Sequence, residues 1–192
     1  ENAPIAVGIR FSESELDAAP NLRLFACAYA GTGHLPVEAF AERGVAVTNA
    51  SGVHGPNIAE YVVGTIVTYT RDFKRAWRQQ RENHWASYRG DELMGSTVTV
   101  VGLGAIGQAL VERLEPFGVH TVGVRYSPEK GGPTDEVYGF GKIHEALAKT
   151  DYLVLACPLT DETEGLIDES AFRTLPPNAL LINVARGGVV DT

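Results

Sequence analysis

Cysteine is nearly absent from this sequence, which holds only Cys27 and Cys157. Two thiols so far apart, each inside an apolar run that reads as a buried strand or its end, make neither a disulfide framework nor a zinc-ligand spacing. No metal site is expected, and a reducing compartment follows, with the cytoplasm as the expected location. No apolar run approaches the ~18 residues that a membrane span requires, and the amino terminus lacks a basic region followed by an apolar core. Lysine is scarce as well, 4 residues against 12 arginines, and no basic cluster offsets the formal net charge of -8. That balance argues against nucleic acid and against an anionic membrane surface as partners.

Apolar residues, by contrast, make up 44% of the chain, ample for a packed core. The most informative stretch is 97–127, which reads as strand, glycine turn, helix, strand. Residues 97–101 are β-branched and apolar on both faces, as a central parallel strand covered by helices requires. They run into Gly102-Leu103-Gly104-Ala105-Ile106-Gly107, a G-x-G-x-x-G between a strand and a helix over 105–117. Such a turn permits a tight reversal, brings backbone close to a pyrophosphate and aims a helix amino terminus at it. The second strand, 120–124, ends in Arg125-Tyr126-Ser127. An NAD site normally carries an acidic residue about twenty positions past the glycines, and none stands here. Arg125 is instead suited to pair with a 2′-phosphate, Ser127 to donate to it and Lys130 to add positive charge. This reading favours NADP(H) over NAD(H), with dual use left open; the alternative is that both cations are ordinary solvated side chains.

The rest of the chain repeats strand and helix. Strands are expected over 5–9, 22–26 and 45–48, with a helix capped by Ser12 or Ser14 that Pro20 ends, and another over 36–43. Between them Tyr29-Ala30-Gly31-Thr32-Gly33-His34 is a glycine-rich turn that either cradles an anion or merely connects. Residues 49–57 read as a boundary. A long helical stretch follows, with Ile58, Tyr61, Val62, Ile66 and Tyr69 on its apolar face and a solvated cationic continuation through Arg81. Trp77 and Trp85 are expected to anchor it on the next domain. Residues 128–141 read as a surface loop. A helix over 143–149, a strand over 152–156, a helical turn over 169–174 and a strand over 180–183 complete the pattern. Cys157-Pro158 and the Val184-Ala185-Arg186 turn then fall at strand carboxyl ends, where open α/β sheets bind ligands. Cys157 is read as part of an apolar wall rather than a nucleophile, because no paired His is identifiable. Arg186 is either a substrate-binding cation or one half of a salt bridge.

Several of these segments together resemble the D-isomer-specific 2-hydroxyacid dehydrogenase family. The matching motifs are Asn49-Ala50 with Gly52 and Ala59-Glu60, the Gly102 to Gly107 turn, Cys157-Pro158-Leu159-Thr160 with Thr163, and Asn183-Val184-Ala185-Arg186-Gly187-Gly188 with Asp191. The resemblance implies a Rossmann-type doubly wound parallel sheet beside a partial flavodoxin-like α/β substrate domain, assigned here to 57–192, with the interdomain helix, and to 1–56. It implies a homodimer that passes a hydride between NADP(H) or NAD(H) and a 2-oxo acid and D-2-hydroxy acid pair. Ala30, Gly31 and Thr32 then match the loop whose amides hold the substrate carboxylate, with Gly33 where an acidic residue is often found. Gly102, Gly104, Ala105, Ile106 and Gly107 match the pyrophosphate turn; Arg125, Tyr126 and Ser127 match the adenosine-ribose site; Cys157, Pro158, Thr163, Val184 and Ala185 match the cofactor-lining loops. Arg186 matches the arginine that binds the 2-oxo acid and polarises its carbonyl. The family's catalytic Glu and His lie downstream of that Arg, and none of His34, His54, His84, His120 or His144 takes that place. The chain is therefore expected to be a truncated form of a longer enzyme, able to bind cofactor but turning over very poorly. The rival reading is a non-catalytic dinucleotide-sensing module, like the corepressors that share the fold.

Overall fold

The computed structural model describes residues 3–191. They divide between His54 and Gly55 into two compact units. In the first, β1 (Ile5–Gly8), β2 (Leu24–Cys27) and β3 (Ala46–Asn49) form a parallel sheet in that order. The crossovers carry α1 (Glu13–Asp17) and α2 (Val37–Glu42). Ser12 starts α1 with a capping box: its hydroxyl accepts from the Glu15 N–H, and the Glu15 carboxylate accepts from the Ser12 N–H at 2.7 Å. Phe25 and Cys27, two apart on β2, point to the same side and pack with Leu16, Ala39 and Phe40; the Phe25 and Phe40 rings stack at 5.4 Å. Ile5 and Val7 face the other way and stay 56% and 76% exposed.

The second unit is a five-stranded parallel sheet of β4 (Thr97–Val101), β5 (His120–Val124), β6 (Glu136–Tyr138), β7 (Tyr152–Leu155) and β8 (Leu180–Asn183). Their order is β6-β5-β4-β7-β8. From β4 the chain moves outward through β5 and β6, then returns to the other side of β4, so the winding reverses between β4 and β7. Helices cover both faces. Val98 and Val100 pack with Ala59, Val62 and Ile66 of α3 (Gly55–Thr70) and with Leu110 and Leu114 of α5 (Ala105–Leu114). Val101, Val122, Val124, Leu153 and Leu155 pack with Ile143, Ala146 and Leu147 of α6 (Ile143–Leu147) and Ala171 of α7 (Glu169–Thr174). Each Val or Leu fully removed from water here contributes about 1.5–3 kcal/mol. The polar intruder Thr99 is satisfied, its hydroxyl 2.6 Å from that of Thr150, which donates to Ala146 O.

Four expectations are corrected. The long helical stretch breaks at Arg71-Asp72: Asp72 takes the left-handed conformation, φ 49°, and its carboxylate accepts from the Arg75 N–H to begin α4 (Phe73–Arg81). On α3 the buried row is Ala59, Val62 and Ile66, whereas Tyr61 and Tyr69 point outward, 66% and 52% exposed. Neither Trp77 nor Trp85 is buried as an anchor: they are 54% and 94% exposed, and Trp77 meets the Phe73 ring of its own helix at 6.2 Å. The segment after α4 is fastened instead by the Asp91 N–H donating to Thr70 O and by the Arg75 guanidinium over the Tyr88 ring at 4.9 Å.

The fourth correction is β6, an edge strand inside what reads as a surface loop. Its three residues pair with Val122, Gly123 and Val124, and a polar network holds it there. Glu136 accepts from Lys149 Nζ at 2.5 Å and from the Tyr138 hydroxyl at 2.6 Å, with His120 Nε2 at 2.7 Å. Lys149 first, then Tyr138 and His120, hold the Glu136 carboxyl at about 2, below its usual 4.5. A depressed carboxyl stabilises the fold fully above pH 4.5, and that contribution disappears as pH falls towards 2. Urea midpoints of the wild type and of Glu136→Gln are expected to differ at pH 7 and to converge between pH 4.5 and 2; a gap independent of pH would contradict this.

Candidate dinucleotide and substrate site

The carboxyl ends of the strands stop level with one another. Val124, Val101, Leu155 and Asn183 form one row across β5, β4, β7 and β8. Past that row the N–H of Gly102 still reaches Val124 O at 2.8 Å, that of Ala156 reaches Val101 O at 2.8 Å, and that of Val184 reaches Leu155 O at 3.0 Å. The glycine turn, the Cys157-Pro158 loop and the Arg186 turn therefore leave the sheet along the same edge, at the point where the winding reverses.

The packing around the glycines explains their spacing. Gly102 has φ +100°, and a Cβ there would lie 2.6 Å from the Cys157 N, so β4 and β7 can exit side by side only with hydrogen at this position. A Cβ on Gly107 would sit 2.0 Å from Gly102 O, so α5 packs down on the turn only because that side chain is missing. Gly104 differs from both, since a Cβ there would meet no protein atom within 4 Å. Its missing side chain keeps open space in front of the first turn of α5, whose N-cap, Gly104 itself, offers no side-chain hydrogen bond. The N–H groups of Ala105, Ile106 and Gly107 are therefore available to an anion in that space.

Beside this turn lies a cavity of about 460 Å³ lined by Gly102, Leu103, Gly104, Arg125, Tyr126, Ser127, Lys130, Phe140, Cys157, Pro158, Thr160, Glu162 and Thr163. Of the residues named from sequence, Gly102, Gly104, Arg125, Tyr126, Ser127, Cys157, Pro158 and Thr163 are thus brought together. Arg125 donates to Gly131 O at 2.6 Å, closing the turn that carries Ser127 and Lys130. Thr163 is buried, accepting from the Thr160 N–H and donating to Pro158 O at 2.6 Å, which shapes the loop after β7. Cys157 is 4% exposed and burial pushes its thiol up, away from the thiolate a nucleophile needs. A dinucleotide fits these residues: uncapped amides for the pyrophosphate, an open cradle at Gly104 and a mixed apolar and charged cavity for the nucleoside end.

Val184, Ala185 and Arg186 lie outside the cavity, in the turn that follows β8, a strand two places from β4 and so about 10 Å from it at the usual spacing. Asn183 brackets their turn, donating to Arg186 O and accepting from the Ala185 N–H. The Arg186 guanidinium donates to Ala185 O and forms no salt bridge with a carboxylate among the described residues. In the first unit, Ala30, Gly31 and Thr32 follow β2, and Asn49 steadies them by donating to Ala30 O at 2.6 Å. None of their three N–H groups donates to another described group. Sequence reasoning misses Leu103, Phe140 and Glu162. The signal for Glu162 is its place in the loop past the end of β7, on the ligand edge, whereas the usual NAD carboxylate falls at the end of β5.

The sheet order, the switch point and the glycine turn define a Rossmann-type dinucleotide-binding domain of a doubly wound α/β protein. Residues 63–192 match the family model for D-isomer specific 2-hydroxyacid dehydrogenase, NAD binding domain. The chain belongs to that family. It is 36% identical over 180 residues to D-3-phosphoglycerate dehydrogenase of Mycobacterium bovis, covering 92% of this chain and 34% of that one. It is also 36% identical over 187 residues to glyoxylate reductase of Thermofilum pendens, covering 92% and 54%. The crystal structure of a D-isomer specific 2-hydroxyacid dehydrogenase family protein from Aeromonas salmonicida superposes with a TM-score of 0.84 at 30% identity, covering 98% of this chain and 61% of that one. The chain thus spans between a third and about half the length of these curated relatives.

Proposed function

We propose that the chain is the dinucleotide domain and part of the substrate domain of an oxidoreductase that interconverts a 2-oxo acid and its D-2-hydroxy acid, with NADP(H) favoured and NAD(H) accepted. The observation that carries the nucleotide preference is the gathering of Arg125, Ser127 and Lys130 around the cavity that opens on the glycine turn. When bound, the dinucleotide supplies or accepts the hydride. The uncapped N–H groups at the start of α5 hold its pyrophosphate, and Arg125, Ser127 and Lys130 hold the 2′-phosphate. Residues 1–56 are the partial substrate domain in this reading, and the free amides of Ala30, Gly31 and Thr32 hold the substrate carboxylate. Arg186, with no carboxylate partner among the described residues, orients the 2-oxo acid and draws charge toward the carbonyl oxygen as the alkoxide develops. Cys157, Pro158, Thr163, Val184 and Ala185 wall the cofactor and keep water out. The homologues named as a dehydrogenase and a reductase favour chemistry over dinucleotide sensing. A cytoplasmic homodimer belongs to the same reading, with exposed Phe73, Trp77 and Trp85 as surface available for self-association.

The test is oxidation of NADPH and of NADH by the full-length protein with a panel of 2-oxo acids. Turnover is expected with both cofactors and better with NADPH; equal or better turnover with NADH would refute the preference. Arg125→Ala is expected to weaken NADPH about tenfold or more while changing NADH by less than about threefold, because a lost charge-assisted contact costs about 1.5–3 kcal/mol only where its phosphate exists. Arg186→Gln is expected to lower kcat/KM by at least about a hundredfold with little change in dinucleotide affinity.

A further inference from the structure

The cavity holds a feature that nucleotide phosphates do not explain. Glu162 lines it together with Arg125 and Lys130, yet among the described residues Glu162 forms no ion pair with either. Its loop is stiff: the Thr163 N–H and the Glu164 N–H both donate to Thr160 O, and Thr163 is tied to Pro158 O. One carboxylate oxygen, Oε2, accepts from the Thr160 hydroxyl at 2.8 Å, which orients the group. The backbone N–H of Glu162 itself also bonds the carboxylate, and among the described residues no side chain other than Thr160 does. The carboxyl lies below its usual range because Thr160 donates to it, so it is ionised at neutral pH and acts only as an acceptor. Opposite charges kept apart in one cavity suit a ligand that presents an anion at one end and a hydrogen-bond donor at the other. The base is the part of a dinucleotide free to meet this acceptor, beside Phe140 and Tyr126, whose rings stand edge to face at 6.3 Å.

We propose that Glu162 is a specificity-determining residue that accepts a hydrogen bond from the exocyclic 6-amino group of adenine, selecting adenine dinucleotides over those with a 6-oxo purine. The inference rests on the dinucleotide reading above and adds the base to it. An ionised acceptor rewards an N–H donor and repels a carbonyl oxygen in the same place, so a change of amine to oxo discriminates strongly. Thr160 is the positioning residue for this contact. Tyr126 and Phe140 provide apolar surface that any purine shares.

The experiment is titration calorimetry of the intact protein with NADPH, NADH and the hypoxanthine analogue of NADPH, for the wild type, Glu162→Ala and Glu162→Gln. The wild type is expected to bind the adenine form at least about tenfold more tightly than the 6-oxo form, the scale of one hydrogen bond to a charged group. Glu162→Ala is expected to bring the two within about threefold, chiefly by weakening the adenine form. Glu162→Gln is expected to tolerate both, because its amide donates to an oxo group as readily as it accepts from an amine. Equal affinities in the wild type, or a Glu162→Ala variant that retains the adenine preference and alters the NADPH to NADH ratio instead, would overturn the role assigned to Glu162 while leaving the dinucleotide site intact. Failure of all three dinucleotides to bind the wild type would overturn both readings.

Discussion

Gly104→Val is expected to fold normally and to lose dinucleotide binding by at least about a hundredfold, roughly 2.7 kcal/mol. The backbone at this residue, φ −81° and ψ −162°, is extended and open to any side chain. A Cβ built there touches no protein atom within 4 Å. Replacing Gly at a helix N-cap by an apolar residue costs under about 1 kcal/mol, so the melting temperature should barely move. The added methyls would occupy the space in front of the Ala105, Ile106 and Gly107 amides, where the pyrophosphate must approach. Thermal unfolding together with NADPH titration separates the two effects. A variant that binds NADPH like the wild type would show that this open space is not the phosphate cradle, and one that fails to fold would show that it serves packing instead.

Gly107→Ala should do the reverse and damage the fold itself. Its Cβ would stand 2.0 Å from Gly102 O, a main-chain atom that no rotamer change can move aside, and 3.3 Å from a methyl of Val100. Either α5 lifts from the sheet or the turn leaves its place beside Cys157. Lifting α5 would open the layer in which Leu110 and Leu114 meet Val62 and Ile66. A destabilisation of at least about 3 kcal/mol follows, which is about 6–12 °C in melting temperature for a chain of this size. The same scan should find loss of binding only as a consequence of the altered turn. A Gly107→Ala variant that melts with the wild type would contradict the contact.

Taken together the two substitutions divide the glycine motif by cause. Gly102 and Gly107 are glycine because protein lies against them, and Gly104 is glycine because protein does not. The sequence pattern G-x-G-x-x-G presents the three alike.

Much of the second unit is legible in the sequence alone. The strands over 97–101, 120–124 and 180–183 and the helix over 169–174 fall as expected, because apolar β-branched runs and a capping Asp168 act locally. The candidate site was legible to the extent that it follows from strand ends: the glycine turn, Cys157-Pro158 and Arg186 had to leave the sheet on one edge once the strands were parallel. What local pattern left undecided was set by partners distant in the chain. Residues 136–138 carry too little apolar content to signal a strand, and they become one because β5 offers an open edge and Lys149 and His120 secure Glu136 there. Tyr61 and Val62 are equally good helix-face residues on paper, and only the approach of α5 chooses Val62 for the core. Glu162 shares a cavity with Arg125 because β7 lies next to β4 in the sheet, an adjacency that no spacing along the chain expresses. Hydrophobic periodicity and turn chemistry are properties of neighbours in sequence and can be read there. Strand order, the buried side of a helix and the meeting of charges across a cavity are properties of neighbours in space, and the tertiary structure alone decided them.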